Sequence, residues 1–175
     1  PQVDIRYISN IWVKELDGED DMEIRWGHGQ WPGLVAQRLT WDSLVPVCSP
    51  ALMARSPIKE PSDVAQHRLL HVLGYEEGWG YWANMVGAQG VDPSSGMQFD
   101  TLISTLRMAE LGQGIALARS SMVVELLREG RLVEPFQQRI EASESFYLVR
   151  GAGADQHPDA VMFATWLVEQ AHRFK

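Results

Sequence analysis

Cysteine is almost absent from this chain: Cys48 stands alone among 175 residues. No internal disulfide can form, and a reducing, cytoplasmic compartment is the expected setting. Long apolar runs are missing as well. No stretch approaches the roughly 20 residues that cross a bilayer as a helix, so no membrane partner is expected. Basic clusters are also lacking. Lys and Arg number 15 against 23 Asp and Glu, for a net charge of −8. Nucleic-acid binding by this stretch alone is therefore excluded on electrostatic grounds, because neutralising phosphates needs clustered cations.

The chemistry of enzymes is missing too. His28, His67, His71, His157 and His172 show no zinc-ligand spacing. The acidic group Glu19-Asp20-Asp21 with Glu23 lacks the alternating ligands and turn glycine of a calcium loop. Gly27-His28-Gly29 and Gly112-Gln113-Gly114 lack the third glycine and the following helix of a dinucleotide site. No serine stands in a nucleophile elbow. Cys48 has no local partner motif and reads as an inert buried thiol. These absences point away from an enzyme, a metal protein or a cofactor protein.

Hydrophobic residues make up 45% of the chain and charged residues 22%, the composition of a folded globular protein. Gln2 to Ile8 alternates as a strand, with Ser9 and Asn10 at its carboxyl end. Met22–Trp26, Ala36–Thr40 and Leu44–Cys48 read as further strands. Pro46 inside the last of these argues against a regular central strand. Short helices are expected over 51–54 and 64–67, the second capped by Ser62 or Asp63. Leu69–Val72 reads as a buried strand, followed by a helix from Trp79 to Val86 that Gly87 stops. A helix over 121–128, a strand at Leu132-Val133 and a strand over 145–150 follow. Pro158 starts a last helix whose apolar face is Phe163, Trp166, Leu167 and Ala171. The alternation of strands and helices favours a mostly parallel α/β fold.

One stretch organises the rest. Met97 to Arg119 reads as strand end, helix, glycine turn and buried strand. Asp100 or Thr101 caps the helix, and Gly112 ends it. In open α/β sheets ligands bind outside the carboxyl ends of strands, beside helix N-termini. Polar and aromatic residues gather at the expected strand ends: Ser9, Asn10, Arg25, Trp26, His28, Trp31, His71, Trp79, Trp82, Phe99, Asp100, Thr101 and Tyr147. Taken one by one each reads as structural, and periodicity alone makes Asp100 a helix cap. Their shared location is what suggests a small-molecule pocket.

Several phrases, in order along nearly the whole chain, resemble the effector-binding domain of LysR-type transcriptional regulators. They are IRWGHGQWPGL (24–34), LVPVCSPALMA (44–54), LLHV (69–72) with Gly78-Trp79 and Trp82, QFDTL (98–102), LGQGIALA (111–118), LLREGRLVEPF (126–136) and FYLVR (146–150). The wording is similar to the subgroup of the glycine-cleavage activator and the β-lactamase regulator.

The resemblance implies two Rossmann-like subdomains joined by two crossover strands, as in type 2 periplasmic binding proteins. Leu44–Val47 and Phe146–Val149 match the crossovers, so that Pro46 would mark a change of sheet. Residues 1–45 and 149–175 would form subdomain I, and 46–148 subdomain II. The family's first strand and helix would precede Pro1, and their turn would give the effector a Ser or Thr. Effector contacts are implied at Asp100 and Thr101, and expected from strand-end position at Phe99, Ser9, Asn10, Arg25, Trp26, Trp79 and Tyr147. Related regulators often carry a tyrosine where Phe146 stands, so effector identity does not transfer. The implied partners are a small-molecule effector (an amino acid, a carboxylate or a cell-wall fragment), a homodimer or homotetramer, and promoter DNA through an N-terminal domain outside this sequence. A solute-binding protein of a transporter is the alternative of the same architecture.

Overall fold

The computed structural model describes Ile5 and residues 22–151 and 157–173. The expected strand over 2–8, with Ser9 and Asn10, lies outside the described residues, apart from Ile5, which has no regular structure. The chain divides into two compact units, Pro1–Trp41 with Ser143–Lys175 and Asp42–Ala142. Among the described residues no helix is long and apolar enough to cross a membrane.

The second unit is built on a five-stranded sheet. Its strands are β3 (Ser43–Val47), β4 (Leu69–Val72), β5 (Met97–Phe99), β6 (Ile115–Arg119) and β7 (Ile140–Glu141), in the order β5-β4-β6-β3-β7. β4 is parallel to both β5 and β6, while β3 is antiparallel to β6 and β7. Both faces are covered. Leu44, Cys48, Leu69, Ile115 and Leu117 pack with Trp79 and Trp82 of α2 (Trp79–Val86) and Leu52 of α1 (Pro50–Arg55). Val45, Val47, Leu70, Ala116 and Ala118 pack with Leu102, Leu106 and Ala109 of α3 (Leu102–Glu110). Successive side chains of one strand serve opposite faces. A strand buried on both faces is therefore apolar at every position, as Ile115-Ala116-Leu117-Ala118 is. The small alanines let α3 approach the sheet. Gly112 adopts φ 70° and ends α3.

Several local expectations differ from the structure. The turn after Glu60 is a 3-10 helix, Pro61–Gln66, and its cap is Glu60 rather than Ser62 or Asp63. Asp63 accepts instead from the Lys59 and Glu60 backbone N–H groups, at 2.8 and 3.1 Å. The helix expected over 121–128 is split into a 3-10 turn, Ser120–Met122, and α4 (Val124–Arg128). Leu132-Val133 gives only a bridge from Val133 to Cys48.

Pro46 needs a different explanation from a change of sheet. β3 stays within one sheet, and Pro46 lies opposite Leu117 in the β6 ladder. On the other side, Ala142 donates to the Asp42 carbonyl at 2.9 Å, and Cys48 and Val133 exchange bonds at 3.1 and 2.8 Å. Backbone groups of 42, 44, 46 and 48 therefore face that outer side, because bonding alternates along a strand. β7 pairs only with Ser43 and Leu44. The missing N–H of Pro46 falls in the gap between β7 and Val133, where no ladder bond is lost.

In the first unit β1 (Glu23–Gly27) and β2 (Leu34–Arg38) flank β8 (Ser145–Gly151), and both pair with it antiparallel. The mostly parallel arrangement expected from alternation thus holds only for β4, β5 and β6. α5 (Pro158–His172) buries Ala160 and Ala164 and packs Leu167, Val168 and Ala171 near Leu39, Phe146 and Leu148. Trp166 was expected on this face but is half exposed. Two residues beyond Ala164, it is turned about 200° away from it.

Asp42, the first residue of the second unit, is 1% exposed and binds three segments. Its carboxylate accepts from Ser121 N–H at 2.8 Å and from the Ser120 hydroxyl at 3.4 Å. Its carbonyl accepts from Ala142, the last residue of that unit. Ser43 N–H in turn donates to Ser120 Oγ at 3.0 Å.

Proline scanning of β3 tests the ladder assignment. Pro46→Ala should change stability by less than about 0.5 kcal/mol. Val45→Pro, which removes a bond to β6, should cost at least about 1–3 kcal/mol. Urea midpoints report both, and equal effects at the two positions would contradict the register.

Candidate functional site

The carboxyl ends of β4, β5 and β6 form one corner of the second unit. Val72 pairs with Phe99, and Leu73 N–H donates to the Phe99 carbonyl at 2.8 Å. Two helices start beside these ends, α2 after Gly78 and α3 after Thr101. Thr101 is the cap: its Oγ1 accepts from Ser104 N–H at 3.3 Å, and its hydroxyl donates to Ser104 Oγ at 2.8 Å. Thr105 Oγ1 donates back to the Thr101 carbonyl at 2.9 Å. Asp100 is exposed and makes no cap bond, so its carboxylate is not consumed by the helix. Gly78 has no side-chain oxygen to offer the first turn of α2. Helix N-termini carry partial positive charge and unsatisfied N–H groups, which suits anionic groups.

A small recess of about 20 Å³ lies at the same end of the sheet, lined by Val72, Tyr75, Glu77, Gly78, Trp79 and Leu117 among others. Arg119 closes β6 at this end. It is buried, pairs with Glu77 at 3.6 Å and lies 4.9 Å from the Tyr75 ring centroid. A buried pair of this kind fixes the 73–78 loop to β6, because breaking it would leave an uncompensated charge.

The expected site residues fall into two groups, one in each unit. Asp100, Thr101 and Phe99 share the corner just described, with Phe99 partly buried against the α3 core. Trp79 lines the recess, but its indole is 1% exposed and its N–H donates to the Leu70 carbonyl at 3.1 Å. It also packs edge-on against Trp82, with ring centroids 5.3 Å apart. Trp82 is a core residue, stacked on Phe136. His71 is tied to the Ser95 carbonyl at 2.7 Å. Arg25, Trp26 and Tyr147 belong to the β1–β8 ladder of the first unit, where Arg25 lies opposite Tyr147 and Trp26 opposite Phe146. Trp26 and Phe146 meet edge-on at 4.8 Å. Sequence reasoning missed Tyr75, Glu77 and Arg119. The one available signal was an arginine closing an otherwise apolar strand.

Among the described residues no group of three or more His, Cys, Asp or Glu could hold a metal ion. Cys48 is fully buried, and burial pushes its thiol up to about 11.

The architecture and corner define a class. The LysR substrate binding domain family matches residues 1–172, and the chain belongs to it. Among relatives, the chain is 32% identical over 174 residues to the glycine cleavage system transcriptional activator of Escherichia coli K12, covering 98% of this chain and 56% of the relative. It is 34% identical over 151 residues to the HTH-type transcriptional activator AmpR of Enterobacter cloacae, covering 86% of this chain and 50% of the relative. The AmpR effector binding domain from Citrobacter freundii has a similar structure, with a TM-score of 0.82 at 30% identity over 94% of this chain and 81% of that one. The chain thus spans about half the length of the curated relatives it matches. The fold is of the type 2 periplasmic-binding-protein kind expected from the sequence. The relatives are regulators, which favours that reading over a transporter's solute-binding protein.

The buried thiol gives a direct check. Cys48 should stay unreactive toward a thiol reagent at pH 8 in the folded chain and react on unfolding in urea, because the thiolate is the nucleophile. Rapid labelling of the native protein would contradict the burial.

Proposed function

We propose that this domain senses a small carboxylate-bearing metabolite, with free amino acids as the first class to test, at the carboxyl-end corner of β4, β5 and β6. One observation carries the reading. Thr101 alone caps α3, which leaves the Asp100 carboxylate exposed beside the N-terminus of that helix. An amino acid presents a carboxylate for such an N-terminus and an ammonium group for Asp100. In a whole protein organised like the relatives, the domain would be the cytoplasmic sensing part of a homodimeric or homotetrameric regulator that reaches promoter DNA through an N-terminal helix-turn-helix. The effector would act by differential affinity for two arrangements of the protein, since a ligand with equal affinity for both shifts nothing. The domain binds its effector and does no chemistry on it.

A thermal-shift panel of amino acids, small carboxylates and cell-wall fragments, followed by calorimetry, tests this. Asp100→Ala combined with Thr101→Ala should weaken the best binder at least about tenfold, equivalent to 1.4 kcal/mol. Loss of the cap costs stability of about 0.5–2 kcal/mol, so Thr101→Ser, which keeps the cap, serves as the folded control. Unchanged affinity in the double variant would contradict the site.

A further inference from the structure

Among the described residues, two buried polar atoms of the β1–β8 ladder of the first unit have no hydrogen-bond partner. Arg25 is 8% exposed. Its Nε donates to Glu23 Oε2 at 2.6 Å, yet its Nη2 is buried with no hydrogen-bond partner. Ser145 is fully buried and its Oγ has no partner either. Buried polar groups are almost always satisfied, and each exception calls for an explanation.

The two atoms belong to one place. Residues directly opposite in an antiparallel pair share a face. Arg25 lies opposite Tyr147, and Gly27 opposite Ser145. Arg25 and Ser145 are therefore diagonal neighbours on the same face, with Cα atoms roughly 7–8 Å apart. α5 takes the other face, against Phe146 and Leu148.

Aromatic rings wall this spot, and glycines admit them. A Cβ on Gly29 would lie 2.5 Å from Tyr147 Cε1, and one on Gly27 would lie 3.2 Å from Trp31 Cζ2. The Trp31 and Tyr147 rings meet edge-on at 5.7 Å, and the Arg25 guanidinium lies 5.9 Å from the Trp31 ring centroid. Trp31 stands between Gly29 and Gly33, both at positive φ, on a loop whose backbone few other residues could adopt.

We propose that Arg25 and Ser145 form a receptor for a planar, uncharged amide group, closed over by Trp31. The charge balance selects the class. Glu23 already neutralises the guanidinium, so a second carboxylate would meet Glu23 repulsion. An amide carbonyl accepts from Arg25 Nη2 and its N–H donates to Ser145 Oγ, with the Trp31 and Tyr147 rings at its border. Binding displaces the Trp31 indole, which makes that ring the reporter. It is a separate small-molecule site of the first unit, and its biological meaning rests on the effector-sensing reading of the domain.

The test uses acetamide and its isostere acetate as probes on the full chain. The indole N–H resonance of Trp31, assigned through Trp31→Phe, is followed during titration. Acetamide should shift it saturably. Acetate should need at least tenfold more, and so should acetamide with the Ser145→Ala and Arg25→Met variants. Glu23→Gln combined with Arg25→Met repeats the measurement without a stranded carboxylate, should Arg25→Met fold poorly. No saturable shift, equal response to acetate, or an undiminished response in Ser145→Ala and in the double variant would overturn the proposal. The titration reads the first unit alone. Its failure leaves the Asp100–Thr101 result standing, and failure there leaves this one standing.

Discussion

The second unit depends on what Asp42 holds. One buried carboxylate and its own carbonyl tie together the start of β3, the residue after β7 and the turn that follows β6. These are the two places where the chain enters and leaves the unit, and the end of the strand that closes the candidate corner. Hydrogen bonds to a charged acceptor contribute about 1.5–3 kcal/mol each, a large share of the 5–15 kcal/mol typical of a whole domain. Arg119 precedes the Ser120-Ser121 pair that Asp42 binds, and Arg119 also holds Glu77 in the loop leading to α2. A short covalent and polar path thus connects both chain junctions to the recess beside Trp79.

That path gives the corner its character. The carboxyl ends of three parallel strands are held in register by β3 on one side and by packing of α2 and α3 on the two faces. At this corner buried groups do the positioning, and in the proposed reading the exposed Asp100 does the recognising. Arg119, Glu77 and Trp79 are spent on holding the frame. Asp100 and the first turn of α2 are not.

Much of this was legible in the sequence where one residue type answers one local demand. A cap at Asp100 or Thr101, Gly112 and Gly87 as helix ends, and Ile115–Ala118 as a doubly buried strand all follow from short-range chemistry, though the choice of Thr101 over Asp100 came from the structure. Features that depend on pairing were not. The two-residue β7 carries no periodic signal, and β8 became the centre of an antiparallel sheet through register rather than composition. Pro46 could be read as a break but not as a gap in an outer ladder. The apolar stripe of α5 was misjudged at Trp166 because aromatic character outweighed the 3.6-residue period. Arg25 was legible as a candidate but Ser145 was not, because their relation exists only through the β1–β8 register. The ordered family phrases, rather than periodicity, raise Asp100 above a helix cap, and in the structure the cap is Thr101.

If the effector occupies the carboxyl-end corner of the second unit, its binding slows exchange of the amides there. Amide hydrogen exchange with and without a saturating binder from the panel tests it most directly. Protection should concentrate in 73–80 and 100–104, with added protection at Ser121 through the Asp42 contact. Protection confined to other segments, with these amides unchanged, would contradict it.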